Sequence, residues 1–377
     1  LDREMAQPAR ILIPGGYGVF GRLLVRELLE RTPAHLIVAG RRLARAAALC
    51  DAFHRPGRLE PLELDVSDPA GLARAARGCL AVVGAAGPFQ GLPPRLVEGA
   101  VRAGAHWLDL ADDRQWVCRL LADDALDAAA RGAGVAVMPG LSTVPSLSAV
   151  LVRWCRQDLP HADRGRITLA IGNRNAKGTA VIASVLGSAF DDPQPVQLPL
   201  GPGARTSRRL AYRVESPAAP LLQRELGMAV EFRVALEWPA AALFLAALAP
   251  LGRRLSPKGR EALGRCLSYL SRPLNRFGSD LGCLQAEVWH SRGGHRVTAA
   301  CFSHGQRLAV LPCALTLEAT LRGELHPQGV LSPGASFPAP EWAARLEARG
   351  VRFSPPRQAP PAAAVPDRRR SRWPRSR

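Results

Sequence analysis

Short apolar runs alternate with helical stripes from residue 10 to about 140. Ile11, Leu12 and Ile13 form the first run, read as a buried parallel strand. Leu23, Leu24, Leu28 and Leu29 follow at helical spacing with charges between them. Further strands are expected at Leu36–Ala39, Leu62–Val66, Leu80–Gly84, Trp107–Leu110 and Val135–Met138. Helices are expected at Leu43–Phe53, Ala70–Arg77, Pro94–Ala103 and Leu120–Arg131. Strand and helix alternating at this period predict an α/β unit, a Rossmann-type doubly wound parallel sheet over residues 1–145. Ligands of such sheets bind beyond the carboxyl ends of the strands.

The pattern then changes. Leu210, Tyr212 and Val214, then Val230, Phe232, Val234 and Leu236, then Leu284, Ala286 and Val288 alternate with polar residues. Period two with one apolar face predicts half-buried strands in a mostly antiparallel sheet. Phe232 and Val234 are expected to face the core, and Arg233 the solvent. Helices are expected near 178–190, 239–251, 257–271 and 311–323, with a loop over Pro193–Gly203. Residues 146–353 therefore read as an α+β domain for substrate binding or oligomerisation, whose last helices can return to the first domain. Residues 354–377 carry seven Arg and one Asp without apolar periodicity and read as a disordered basic tail.

The chemistry starts at the first turn. Gly16, Gly18 and Gly21 stand in G-x-G-x-x-G spacing between strand and helix, with Tyr17, Val19 and Phe20 between them. Gly16 is expected to turn the chain, Gly18 to admit a pyrophosphate and Gly21 to let helix and strand pack. The helix N-terminus then offers free N–H groups to the anion. After the second strand, where an NAD enzyme carries an acid for the ribose, stand Arg41 and Arg42. A guanidinium bonds phosphate bidentately, so the cofactor is read as NADP. Asp65 and Val66 are placed at the adenine edge, and Ala85, Ala86, Gly87 and Pro88 beside the cofactor after the fourth strand.

Composition changes this picture little. The formal charge is +18 over 377 residues, but the only Lys are Lys177 and Lys258, and Ala, Pro, Gly and Arg dominate throughout. Part of the basicity therefore reads as coding bias, and a solvated tail is preferred to one that binds nucleic acid or a membrane. Eight scattered Cys lack metal-ligand spacing and fit a reducing cytoplasm; no metal is expected. No signal-peptide pattern opens the numbered chain, and Met5 offers a start. The apolar run from Pro239 to Leu251 is too short to span a bilayer. A core helix or a homodimer face is preferred there to a helix lying in a membrane surface.

G-G-Y-G-V-F-G, G-R-R, V-V-G-A-A-G-P-F, A-G-A-H-W-L-D-L and G-V-A-V-M-P-G-L-S together resemble the saccharopine dehydrogenase-like oxidoreductases. G-N-R-N-A-K-G-T-A and the ending L-R-G-E-L…G-V…W…L-E-A-R-G-V extend the resemblance over roughly residues 8–353, with 190–280 matching loosely. It implies an NADP-binding Rossmann domain followed by an α+β domain, and it fixes no substrate.

Hydride transfer needs a positioned nicotinamide and a proton donor or acceptor. None of Tyr17, Tyr212 and Tyr269 is followed by Lys at the fourth position, which excludes a Tyr-x-x-x-Lys pair. Asp109 and Lys177 are the leading candidates for catalysis, with Asp112 and His304 behind them. The reading is a cytoplasmic NADP-dependent oxidoreductase acting on a small carbonyl, imine or activated-alkene metabolite. Its rival is a non-catalytic NADP-binding sensor or scaffold, associated in one version with a membrane surface.

Overall fold

A computed structural model describes residues 8–175, 191–200, 206–271, 273, 276–303 and 305–359. The first domain sets strands β1 (Arg10–Pro14), β2 (His35–Gly40), β3 (Leu59–Glu63), β4 (Ala81–Gly84), β5 (His106–Asp109) and β6 (Ala136–Met138) in one parallel sheet. The strand order is β3-β2-β1-β4-β5-β6, extended past β6 by β13 (Gly329–Val330) from the far end of the chain. Ile11, Leu12 and Ile13 are fully buried, as a strand covered on both faces requires. The order reverses between β1 and β4, and the crevice at that switch point is where ligands bind.

Helices α1 (Val19–Arg31), α2 (Leu43–Ala52), α3 (Pro69–Ala75) and α4 (Arg95–Arg102) cross between these strands. The single helix expected over Leu120–Arg131 is two, α5 (Arg114–Leu121) and α6 (Asp124–Gly132). Asp123 restarts the helix by accepting the Leu126 N–H at 2.9 Å, and such a cap favours a new first turn over a continuous one.

A π-helical turn (Thr143–Leu147) leads into α7 (Ser148–Asp158) and the part of the chain that builds a second sheet. Its sheet holds β7 (Arg164–Ile171), β8 (Asp191–Pro199), β9 (Thr206–Arg213), β10 (Ala229–Leu236), β11 (Gly282–Trp289), β12 (His295–Phe302) and β14 (Arg352–Gln358). The order is β14-β12-β11-β7-β10-β9-β8, antiparallel except for the parallel pair β7 and β10. The sheet curls. The Cys301 thiol on β12 donates to the Pro199 carbonyl at the end of β8 at 2.7 Å, although these strands lie near opposite ends of the order.

Three expectations are corrected here. Pro193–Gly203 is not all loop, because Asp191–Pro199 is the edge strand β8, and an edge tolerates proline. Ser354–Gln358 belong to β14 and not to a disordered tail, since β12 offers them a free edge. Arg233 does not face solvent: its side chain is 1% exposed and bonds Asp192 at 2.6 Å and Glu231 at 3.1 Å. Phe232 and Val234 are buried in the core as expected. The helix expected at 178–190 lies outside the described residues.

The remaining helices are α8 (Ala218–Leu226), α9 (Pro239–Arg254), α10 (Pro257–Leu270), α11 (Gly305–Leu308), α12 (Leu311–Leu321) and α13 (Ala339–Glu347). α12 packs on α1 of the first domain. Arg307 and Arg349 both reach the buried carboxylate of Glu27 on α1, at 3.1 and 3.3 Å. Arg307 and Arg349 are therefore tied to α1, the helix that starts at the glycine turn. Among the described residues, no helix is long and apolar enough to cross a membrane.

Candidate functional site

The switch-point crevice is floored by glycine. The positive φ of the turn, +82°, belongs to Gly15 and not to Gly16, the turn residue that the fingerprint spacing predicts. A Cβ on Gly15 would lie 2.5 Å from the Ala86 amide nitrogen, so the glycine turn rests directly on the loop after β4. The pair Gly15-Gly16 directly after the strand is the signal that the spacing alone overlooks. A Cβ on Gly18 would meet only the Gly15 carbonyl, at 3.0 Å. A Cβ on Gly21 would overlap that carbonyl outright, which is the close helix–strand packing expected of the third glycine.

Helix α1 starts at Val19 with no side-chain cap and no acid in its first turn. Its N–H groups and its positive dipole end are thus left for an anion. Val19 is exposed there and Phe20 half-buried. A dinucleotide pyrophosphate fits this cradle, because the one position where backbone must be approached closely carries no side chain.

Tyr17 closes the neighbouring corner. Its ring lies where a Cβ on Gly40 would fall, and its hydroxyl accepts the Arg42 N–H at 3.2 Å. Arg41 and Arg42 are both exposed at the end of β2. Asp65 is held below the usual carboxylate range by the Ser67 N–H, with a smaller contribution from the charge of Arg41. Arg41 at the end of β2 and Asp65 after β3 therefore stand near enough to feel each other's charge. Val66 lies beside them, half-buried. A groove of about 590 Å³ opens next to Tyr17, with Arg22, Arg26, Arg45 and Arg55 on its walls.

Across the switch point, Ala85 and Ala86 are half-buried while Gly87 and Pro88 are exposed. The Ala85 N–H bonds the Pro14 carbonyl at 2.9 Å, fastening the β4 loop to β1.

Asp109 ends β5 and is fully buried. One oxygen accepts the indole N–H of Trp107 at 2.9 Å and that of Trp116 at 2.7 Å. The other accepts the backbone N–H of Ala111 at 3.1 Å and of Gly140 at 2.8 Å. Burial pushes its pKa up and these four donors pull against it. The carboxylate ties together the ends of β5 and β6 and the start of α5, with its acceptor sites occupied. The two tryptophans that hold it were not singled out in the sequence. Trp107, two residues away on the same strand face, was legible by alternation.

Asp112 stands beyond the strand. Its side chain is exposed; the protein packed near it pushes its pKa up, its own backbone N–H opposing and Asp113 adding to the rise.

Lys177 and His304 lie outside the described residues. The turn that leads to Lys177 is braced. Asn173 donates to the Phe277 carbonyl at 2.9 Å, and Asn175 donates to the Asp280 carbonyl at 3.1 Å and accepts the Gly305 N–H at 2.8 Å. Both asparagines are buried, where the sequence had indicated a polar loop. Among the described residues, no group of three His, Cys, Asp or Glu could hold a metal ion.

Comparison with known proteins agrees with this geometry. Residues 11–138 match the model of the saccharopine dehydrogenase NADP binding domain. No curated protein matches the sequence. Among solved structures, the chain is similar to the L-Glu-forming saccharopine dehydrogenase of Saccharomyces cerevisiae, at TM-score 0.64 and 13% identity over 93% of this chain and 100% of that one. A short-chain dehydrogenase/reductase of Veillonella parvula, solved with NADP, matches at TM-score 0.24 and 22% identity over 27% of this chain and 46% of its own. The yeast likeness covers both domains and concerns the fold alone. Residues 11–138 thus form a domain of the saccharopine dehydrogenase NADP-binding type.

Proposed function

We propose that the protein is an NADP-dependent oxidoreductase acting on a small metabolite that carries a carbonyl, an imine or an activated alkene. One observation carries this reading. Gly15 packs on the Ala85–Ala86 backbone, so the glycine turn and the β4 loop make one continuous floor at the switch point. NADP bound there supplies or accepts a hydride.

The chain's own residues do the rest. Gly18, with the N–H groups of Val19 and Phe20, meets the pyrophosphate, while Gly16 and Gly21 shape the cofactor turn and its packing; Arg41 and Arg42 hold the 2′-phosphate. Asp65 and Val66 border the adenine. Ala85, Ala86, Gly87 and Pro88 keep the floor thin. Asp109 acts as a positioning residue, fixing the end of β5 from which Asp112 projects. Asp112, its pKa raised, gives or takes the proton at the reacting atom. Lys177 pairs with an anionic group of the substrate. A cytoplasmic enzyme, working as a homodimer, completes the proposal.

The second reading, NADP binding without turnover, is favoured by the full engagement of Asp109. NADPH consumption across a panel of small carbonyls, imines and enoyl compounds separates the two. Turnover that falls in Asp112→Asn while NADPH still binds supports the enzyme; tight binding with no turnover on any compound supports the sensor.

A further inference from the structure

α9 is amphipathic in an unusual sense, because its solvent face is apolar. Ala240, Leu243, Phe244, Ala247, Pro250 and Leu251 are exposed and fall within one arc of the helix, which ends at exposed Arg254. α10 follows after two residues and repeats the pattern with exposed Ala262, Cys266, Tyr269 and Leu270 beside exposed Arg265. Phe277 and Arg276, just beyond, are exposed as well. Leu243, Phe244, Leu251, Tyr269, Leu270 and Phe277 are each more than half exposed. Most of the large exposed apolar side chains among the described residues thus lie in this one segment. Single exposed apolar residues need no explanation, but a contiguous set marks a contact surface.

Charge decides what the contact is. Residues 239–277 carry seven Arg or Lys and one Glu. No ion pair engages Arg254, Arg265 or Arg276 among the described residues. A second copy meeting this face about a two-fold axis would bring two faces of the same strong positive charge together. A surface apolar to a few ångströms' depth and negatively charged at its rim satisfies both features at once. We infer that α9 and α10 seat the protein on an anionic membrane surface, with the apolar stripes among the acyl chains and the arginines at the headgroups. Neither helix crosses the bilayer. Tyr269 and Phe277 suit the boundary between headgroup and acyl chain.

Flotation of the full chain with vesicles of phosphatidylglycerol and phosphatidylcholine, against vesicles of phosphatidylcholine alone, tests this. Binding is expected to the anionic vesicles, weakening as salt is raised. The triple variant Arg254→Glu, Arg265→Glu, Arg276→Glu is expected to lose on the order of a hundredfold or more in affinity, at about fivefold for each removed charge. Phe244→Ser with Leu251→Ser is expected to abolish flotation. NADPH titration of each variant confirms that it remains folded. The inference is overturned by any of three results: no flotation of the wild type, flotation unchanged in both variants, or a wild-type dimer that Phe244→Ser dissociates. The last would make the face a contact between copies of this chain.

Discussion

Gly15 and Gly21 touch backbone to backbone: the position of a Cβ on Gly21 is already filled by the Gly15 carbonyl. A Cβ on Gly18, between them in the same turn, would meet nothing but that carbonyl, at a tight 3.0 Å that the turn must relieve by a few tenths of an ångström. The two glycines therefore fail differently. Gly21→Val is expected to push α1 off β1 and leave the protein insoluble or unfolded. Gly18→Val is expected to keep the fold and lose NADPH, because its side chain points where the pyrophosphate must come. Circular dichroism with NADPH titration separates the outcomes. Unchanged NADPH affinity in folded Gly18→Val would remove the cofactor from this turn.

Arg233 is the second test. Its guanidinium is enclosed between Glu231 and Asp192, with the Asp192 and Ala211 carbonyls also accepting from it. Arg233→Ala is expected to lower stability by about 1.5–3 kcal/mol. The full cost of orphaning a buried charge is not reached, because Arg166 still pairs with Glu231 and Asp192 is half open to water. Asp192 is held below its usual pKa, first by its bond to Arg233. Burial works against Glu231, but Arg233 and Arg166 outweigh it and lower its pKa as well. A carboxylate depressed in the folded state stabilises above its unfolded pKa, near 4, and that stability is lost as pH falls through the folded value. Wild-type stability should thus drop below about pH 4, and the Arg233→Ala variant should drop less steeply. Parallel acid unfolding curves for the two proteins would contradict this coupling.

These two sites show what the sequence makes legible. The parallel sheet and its glycine turn are local, since strand, turn and helix follow within one stretch and the periodicity changes from two-sided burial to a helical stripe. Arg233 was not legible. Strict alternation sends it to the solvent face, but the curl of the second sheet covers that face, and its partner Asp192 comes from a distant strand. β13 was equally hidden, because its two residues, Gly329 and Val330, gain strand character only by pairing with β6. Asp109 shows a third case: its place at a strand end was readable, while the donors that occupy it come partly from α5 and the turn after β6.

Asp112 gives the third prediction. A carboxyl whose folded pKa is raised contributes stability that is complete below its unfolded pKa and is lost as pH rises through the folded value. Asp112→Asn, which stays neutral, is therefore expected to raise the melting temperature only slightly at pH 7, because water screens the exposed carboxylate, and to leave it unchanged at pH 3. The same substitution is expected to cut turnover by about 10²–10⁴-fold, the usual contribution of a positioned acid or base. NADPH affinity should be retained. A variant with full turnover and no gain in melting temperature would return Asp112 to the role of a solvated loop acid.

The central claim is the cofactor, and it is tested at Arg41 and Arg42. Both stand exposed at the end of β2, the second held through its N–H by Tyr17. A charge-assisted contact to a 2′-phosphate contributes about 1.5–3 kcal/mol. At about 1.4 kcal/mol per factor of ten, NADPH should bind roughly ten- to a hundredfold more tightly than NADH. Replacing both arginines with Ala should weaken NADPH to the level of NADH and leave NADH nearly unchanged. The measurement is a pair of titrations followed by nucleotide fluorescence, wild type against Arg41→Ala/Arg42→Ala at fixed low salt. A strong NADPH preference that collapses in the double variant is the predicted result. Equal affinity of the wild type for both nucleotides, or a preference that survives the double substitution, would contradict the account.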